Sequence, residues 1–400
     1  MKIFYLSLHP HIGFDDISGP GMHIREIING LRQAGNEVIW VSPHRGNPSA
    51  PWMNKSGSFS GGLKGVIKRI IPAIIWETLS DIRLIIIDRS FEKELQRLID
   101  QQKPDLIYER AYYMMGAGHR ISRRNGIKYF VEMNSPYTLE KPEMSHPSGL
   151  GWLAEQNEKR QLLTMTYGFV VTSSLKEYFV AKYPKAKDKL IVTPNAVRRQ
   201  HMLADDMPPN HGLRDSLGLK SEDILITFVG SIFPYHGVDI LIKAFALARK
   251  ENTSVKLKLL IIGDGAILME LKELSRELGL TNEVCFLGKI PNDQAREYLA
   301  VSQIAVQANC TWYNSPLKLF EYGSQRVAII APACPGVLDV MTDGQDGLII
   351  TPDVTRIAEA LVYLSENPEM REKYARNFYE RVRTMYTWEN IAKKIISLAR

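Results

Sequence analysis

The chain has 400 residues, 45% of them apolar, and a formal net charge of +6. That length suits two domains, each with its own core, and the modest positive charge favours anionic ligands or an anionic membrane face without establishing either. No apolar run approaches the ~20 residues of a membrane-spanning helix, and the basic residues form no stripe interleaved with aromatics, which argues against nucleic acid as a partner.

The opening Met1-Lys-Ile-Phe-Tyr-Leu-Ser-Leu8 is too short for a signal sequence and reads as a buried first strand. Between it and a second strand at Glu37 to Val41, His23 to Ala34 has apolar residues at helical spacing, Ile24, Ile27, Ile28 and Leu31, closed by Gly35. Residues 64–97 mix aliphatics with Lys68, Arg69, Arg83, Arg89 and Lys93. They read either as an amphipathic helix on an anionic membrane surface or as a helix packed on its own domain, with Pro72 interrupting the apolar face. Further strands are expected at Leu106 to Tyr108, Lys128 to Glu132, Gly168 to Thr172 and Lys189 to Val192, and Ala204 to Gly212 reads as a linker. Beyond it strands and helices alternate, with strands at Ile224 to Val229, Lys256 to Ile262, Val284 to Leu287, Ile304 to Gln307, Val327 to Ala331 and Leu348 to Ile350. Such alternation implies parallel sheets covered by helices, with ligands at the carboxyl ends of the strands.

The most informative stretch is Asn314-Ser-Pro-Leu-Lys-Leu-Phe-Glu321. Pro316 stands where a first helical turn begins, and a helix start offers free N–H groups to a phosphate. Glu321 on the same helix suits a ribose diol. Glycine-bearing turns recur at strand ends: Ser18-Gly-Pro-Gly21, Gly230 to Gly237 and Gly263-Asp-Gly265. A missing side chain there lets backbone approach a ligand, although none is a dinucleotide fingerprint or a P-loop. The pairs Asp15-Asp16 and Asp205-Asp206 lack companions for a metal. Cys285, Cys310 and Cys334 fit neither a disulfide framework nor a zinc set, which points to a reducing compartment. His119 reads as a helix-surface residue.

Gly19-Pro-Gly21-Met-His23, Thr193-Pro-Asn195-Ala-Val197, Phe228-Val-Gly230 through His236-Gly-Val238, Leu260-Ile-Ile-Gly-Asp-Gly265, Phe286-Leu-Gly288 and Ser315-Pro-Leu-Lys-Leu-Phe-Glu321 together resemble glycosyltransferase family 4, the retaining nucleotide-sugar transferases. The resemblance implies an α/β GT-B fold, two Rossmann-like domains facing a central cleft. The acceptor-side domain would span residues 1–204, the donor domain 213–382, and a C-terminal helix at 383–400 would return to the first. It implies a donor set of Gly19, Gly21, Gly230, Ser231, His236, Gly263, Ile290, Tyr313, Ser315, Pro316, Leu317, Lys318 and Glu321. His9, Tyr108, Arg110 and Glu132 are expected on the acceptor side, with Arg110 alternatively paired to Glu109. Asn134, His236 and Lys318 are the expected catalytic residues, and no metal or other cofactor is required. Where the family places an Arg and a Lys on the donor diphosphate, this chain has Ser231 and His236. Of the family's paired glutamates only Glu321 remains, with Tyr313 at the other position. Lys318 and the helix start are therefore expected to supply the missing charge, with His236 assisting.

The resulting expectation is a cytoplasmic enzyme, peripheral on the inner membrane face. It would move a sugar from a nucleotide diphosphate, UDP for preference, to a hydroxyl acceptor of a surface polysaccharide or a lipid-linked intermediate. A sugar-nucleotide epimerase of the same fold and a non-catalytic nucleotide-sugar binding module are the alternatives.

Overall fold

The computed structural model describes the whole chain except residues 11, 15, 17, 44–71, 146, 205–209, 252–254 and 400, and the side chains of Met144 and His211. The first part of the basic segment 64–97, most of the linker, Asp15 and the Asp205-Asp206 pair thus lie outside the described residues. The contacts group Met1–Thr193 with Trp388–Arg400 in one unit and Pro194–Thr387 in another.

The first unit is built on six parallel strands in the order β2-β1-β3-β4-β5-β6. They are β1 (Lys2–Ser7), β2 (Glu37–Val41), β3 (Leu106–Arg110), β4 (Lys128–Met133), β5 (Tyr167–Val170) and β6 (Leu190–Val192). Their helices are α1 (Gly19–Gln33), α2 (Ala73–Gln102), α3 (Ala117–Asn125), α4 (Tyr137–Met144), α5 (Gly151–Thr164) and α6 (Ser173–Lys182), joined by a C-terminal helix, Trp388–Ala399. The apolar residues spaced along α1 are all buried, and the Trp388 ring of the C-terminal helix meets His23 of α1 edge-on at 4.8 Å.

The helix α1 starts earlier than its periodicity suggests. Ser18 is its N-cap, its hydroxyl accepting from Gly21 N at 3.4 Å, with Pro20 in the first turn. Pro72 stands at the N-cap of α2. The inner face of α2 carries buried acids between its apolar residues: Glu77, Asp81, Asp88 and Glu92 beside Leu84, Phe91, Leu95 and Ile99. Asp88 accepts from the backbone N–H groups of Gly116 and Ala117 at 2.9 Å each, so α2 caps α3 from outside. Arg120 of α3 then bridges Asp88 at 2.6 Å and Glu92 at 2.7 Å. His119 turns inward rather than to the surface, because α3 packs this face against the sheet; burial pushes its pKa down to about 4.

The second unit has the strand order β12-β11-β10-β7-β8-β9, again all parallel. The strands are β7 (Ile224–Val229), β8 (Leu257–Ile262), β9 (Val284–Gly288), β10 (Ile304–Val306), β11 (Ala328–Pro332) and β12 (Leu348–Ile350). The helices are α7 (His211–Ser216), α8 (Val238–Glu251), α9 (Leu268–Glu277), α10 (Asn292–Ala300), α11 (Leu317–Ser324), α12 (Pro335–Leu338), α13 (Val354–Glu366) and α14 (Pro368–Met385). Alternate strand residues go to opposite faces. Ile226, Phe228, Leu259 and Ile261 pack with Leu241, Phe245, Ile357 and Leu361, whereas Ala305 and Ile329 pack with Phe320, Tyr322, Phe378 and Val382.

The cysteine expectation fails here. Cys310 and Cys334 form a disulfide with Cα atoms 6.8 Å apart, leaving Cys285 free. The parallel register explains the pairing: Val306 of β10 lies opposite Ile330 of β11, and the cysteines follow their strands by the same distance. The cysteine count therefore gives no argument for a reducing compartment.

Asp88 offers a test of how the first unit is held. Removing one partner from a buried, hydrogen-bonded charge pair costs roughly 3–5 kcal/mol. Asp88→Ala should accordingly lower the first calorimetric transition, with a smaller effect for Asp88→Asn. An unshifted transition would show that the α2–α3 pairing is not needed for stability.

Candidate active site

The candidate donor residues of the second unit gather at the carboxyl ends of β7, β8 and β10. The loop after β10 is pinned from below by the Pro-Asn turn. Asn195 N donates to Ser315 Oγ at 3.0 Å and Asn195 Nδ2 to Ser315 O at 2.5 Å. Ser315 is thus taken up in holding the loop. Pro316 is the N-cap and α11 begins at Leu317, one residue later than expected. The far end of the helix is tied to β7, because the Tyr322 hydroxyl accepts from Val229 N at 3.0 Å.

This frame drives Lys318 inward. Its side chain is buried, its ammonium lies 4.4 Å from the centre of the Phe228 ring, and Nζ has no hydrogen-bond partner among the described residues. It sits against Gly230, where an added Cβ would meet Nζ at 3.0 Å. Burial pushes its pKa down to about 7, while Glu321 opposes the shift. Glu321 lies one turn further on and is half-buried. Burial pushes its carboxyl up, with Arg296 and Lys318 acting against that.

Burial, and then the charge of Lys318, hold the pKa of His236 down to about 4, so in the unliganded site it is neutral. It can supply a hydrogen bond, whereas the positive charge rests on Lys318. Ser231 is exposed. Two exposed aromatics of the same loop, Phe233 and Tyr235, stack with centroids 5.8 Å apart; nothing in the motif pattern singled them out. Phe228 was also missed, although its place two residues before Gly230 on an alternating strand marks it as inward-facing. Tyr313 is half-buried beside Trp312. Ile290 follows β9 and packs on the apolar cluster of that sheet face. The glycine at 263 is required by the protein itself: φ is +146° and a Cβ would strike Gly230 O at 1.9 Å. Its absent side chain lets two strand-end turns touch, which is a packing reason rather than a ligand one.

In the first unit Gly19 and Gly21 lie within the first turn of α1, and a Cβ on Gly21 would strike Asp16 O at 2.3 Å. That close approach again accounts for the glycine without a ligand. His9 packs against Tyr112 with centroids 4.1 Å apart. Tyr108 is a core residue, stacked on Tyr5 at 5.2 Å and on Phe169 at 5.6 Å. Glu132 is the hub of this cluster. It accepts from Arg110 Nη1 at 2.7 Å and Tyr108 OH at 2.8 Å, His23 Nε2 lies 2.8 Å away, and Asn134 Nδ2 donates to it. Burial opposes its charge, yet His23, Arg110 and Asn134 together hold its carboxyl well below the usual range. Arg110 pairs with Glu132 because the two are register partners across β3 and β4. It does not pair with Glu109, since neighbours in a strand face opposite sides; Glu109 accepts from Gln161 at 2.6 Å instead. Asn134 is left with its Oδ1 unpartnered among the described residues.

Lys318 carries a prediction for stability. Its folded pKa of about 7 lies below the ordinary lysine value of 10.5. Below the folded pKa the buried charge is fully destabilising, and stability recovers as pH rises from about 7 towards the unfolded value. Lys318→Met should therefore raise the melting temperature of the second unit near pH 6 and change it little near pH 10. A melting temperature that falls at pH 6 would show that the ammonium is not strained in the free protein.

Two family models match adjoining stretches of the chain: Glycosyltransferase Family 4 over residues 17–201 and Glycosyl transferases group 1 over residues 211–381. D-inositol 3-phosphate glycosyltransferase of Stackebrandtia nassauensis is 24% identical, covering 96% of this chain and 87% of the relative. Among solved structures, a glycosyltransferase from Rickettsia africae superposes with a TM-score of 0.73 at 15% identity, covering 100% of this chain and 98% of the other. Anabaena HepE in complex with UDP gives 0.72 at 15% identity, covering 99% of each. With one model matched over most of the first unit, the other over the second sheet, and the same fold in these structures, the chain belongs to the family 4, group 1 glycosyltransferases and has their GT-B fold.

Proposed function

We propose that the chain transfers a sugar from a nucleotide-diphosphate donor to a hydroxyl of a surface-polysaccharide or lipid-linked intermediate, with retention at the anomeric carbon and without a metal ion. The observation that carries this reading is the buried ammonium of Lys318, without a hydrogen-bond partner among the described residues, beside the start of α11 and the Gly230 turn. An unpaired buried charge is costly, and an anion at that point would complete it. The UDP held by the Anabaena protein supports UDP as the nucleotide.

In this reading the backbone N–H groups at the α11 start and Lys318 receive the diphosphate, and the Glu321 carboxylate accepts from the ribose hydroxyls. As the bond from the anomeric carbon to phosphate oxygen breaks, negative charge grows on the diphosphate next to a fixed cation. A diphosphate oxygen takes the proton of the acceptor hydroxyl while that hydroxyl oxygen bonds to the anomeric carbon from the same face. In the first unit Asn134, oriented by Glu132, offers its Oδ1 to a sugar hydroxyl.

The membrane part of the reading rests on the outer face of α2. Ile75, Leu79, Ile82 and Ile86 recur at helical spacing and are exposed by 41–60%. Arg83, Arg89 and Lys93 carry the exposed side onward as a cationic face. Aliphatic residues beside cations suit the surface of an anionic bilayer. No helix among the described residues is long and apolar enough to cross a membrane.

Calorimetry tests the donor site. Because a bound diphosphate favours the charged lysine, UDP binding should take up a proton and weaken as pH rises above about 7. Lys318→Met should bind more weakly and lose that dependence. Glu321→Ala, which removes charge-assisted hydrogen bonds worth roughly 1.5–3 kcal/mol, should weaken UDP about 10- to 100-fold. Affinities independent of both residues would refute the donor site. Turnover of UDP-sugars should persist in excess chelator and give a product of unchanged anomeric configuration by NMR.

For the membrane, vesicles with anionic lipid should capture the chain, and Leu79→Glu with Ile86→Glu should release it. Equal recovery of native and variant chains would exclude the α2 face as the contact.

A further inference from the structure

The first unit contains a cavity of 280 Å³ that belongs to none of the residues assigned above. It lies among the first turns of α2, the loop after β3, α4 and the start of α5, lined by Glu77, Asp81, Tyr113, Lys141, Trp152 and Glu155 among others. Tyr113 follows β3 and α4 follows β4, so the cavity opens at the carboxyl ends of two central strands, where ligands of parallel sheets collect.

The lining is unusual for a void left by packing. Asp81 is completely buried, and its Oδ2 accepts from the Tyr113 hydroxyl at 3.1 Å. Oδ1 has no hydrogen-bond partner among the described residues. Burial is the main reason its carboxyl is pushed up, with the hydroxyls of Ser148 and Tyr113 and the charge of Lys141 acting against the shift. Glu77 is already neutralised by Lys141 at 2.6 Å. At the rim stands Trp152, exposed by 61%, a large apolar surface kept in solvent.

These features select a ligand class. A free carboxylate oxygen calls for a donor, and the surrounding acids repel a phosphate, so the cavity is not a second nucleotide site. Its volume is near the lower limit of small-molecule pockets, about 300 Å³, which suits one ring rather than a nucleotide. A flat indole beside hydrogen-bond acceptors matches a sugar, whose C–H face lies on an aromatic while its hydroxyls donate to carboxylates. We propose that this cavity binds one sugar ring of the acceptor, with Trp152 against its face and Asp81 Oδ1 accepting from a hydroxyl. The proposal rests on the reading of the acceptor as a glycan or glycolipid. It adds where that glycan is held: beside the turns of α2 whose outer side carries Ile75 and Leu79, so that a lipid-borne sugar and its lipid would engage neighbouring faces of one helix.

Saturation-transfer NMR on the full chain, with glucose, galactose, mannose, N-acetylglucosamine and rhamnose as probes, tests this. At least one sugar should receive saturation from the native protein. Asp81→Asn keeps an acceptor for Tyr113 while turning the free oxygen into a donor; Trp152→Ala removes the exposed ring. Each should weaken binding of that sugar at least ~5-fold, Trp152→Phe should restore most of it, UDP affinity should not change, and each variant should still unfold cooperatively by calorimetry. No saturation of any probe, or equal saturation in all variants, would overturn the proposal. UDP is measured in the same samples: failure of UDP binding with sugar binding intact would instead remove the donor assignment and leave the cavity standing.

Discussion

Every strand pairing in both sheets is parallel, and the candidate chemistry depends on that constraint. Parallel strands need a crossover between successive members, so each strand leaves the sheet at the same edge and enters a loop leading to a helix. In the second unit this brings Gly230, Gly263 and the 309–316 loop together although they are far apart in the chain. The register that pairs β10 with β11 also joins Cys310 to Cys334. In the first unit the register of β3 against β4 sets Arg110 opposite Glu132. Ligand-binding geometry is thus a consequence of strand direction before any functional side chain is considered.

The two units treat buried charge in opposite ways. Glu132 is satisfied from several directions by Arg110, Tyr108, Asn134 and His23. Its network is closed, and a closed network in a low-dielectric interior is rigid. Lys318 has an aromatic face beneath it and no hydrogen-bond partner among the described residues. Its site is open, and folding leaves a desolvation cost that an anion, under the proposed function, would relieve. A protein selected for stability alone would place a methionine or leucine there. The same contrast recurs at Asp81, where Oδ2 is engaged and Oδ1 has no hydrogen-bond partner among the described residues.

Helix α2 shows how one element serves several demands. Its inner acids cap and clamp α3, its first turns line the cavity, and its outer side presents aliphatics followed by cations. A helix of 30 residues exposes enough distinct faces for this. Periodicity alone cannot separate them, because buried acids and exposed aliphatics invert the usual inside-outside pattern.

Much of the fold was legible in the sequence. Alternating apolar runs and helical spacings placed most strands within a residue or two, since side-chain period follows local backbone geometry. The helix start at Pro316, and Lys318 and Glu321 beyond it, were legible for the same reason: caps and turns are local. The errors lay where a distant neighbour decides. Gly263 looked like an opening for a ligand, but the Gly230 turn of another strand fills the place of its side chain. His119 looked like a surface residue and is buried by the sheet beneath it. His236 could be named as a helper to Lys318, but not its charge state in the free chain, which burial beside Lys318 keeps neutral. The sequence by itself determined the parallel α/β architecture and the residue types at the strand ends, because both follow from short-range pattern. Only the tertiary structure decided which charges are satisfied, which remain open and what each glycine is for, because desolvation and strand register depend on residues far apart in the chain.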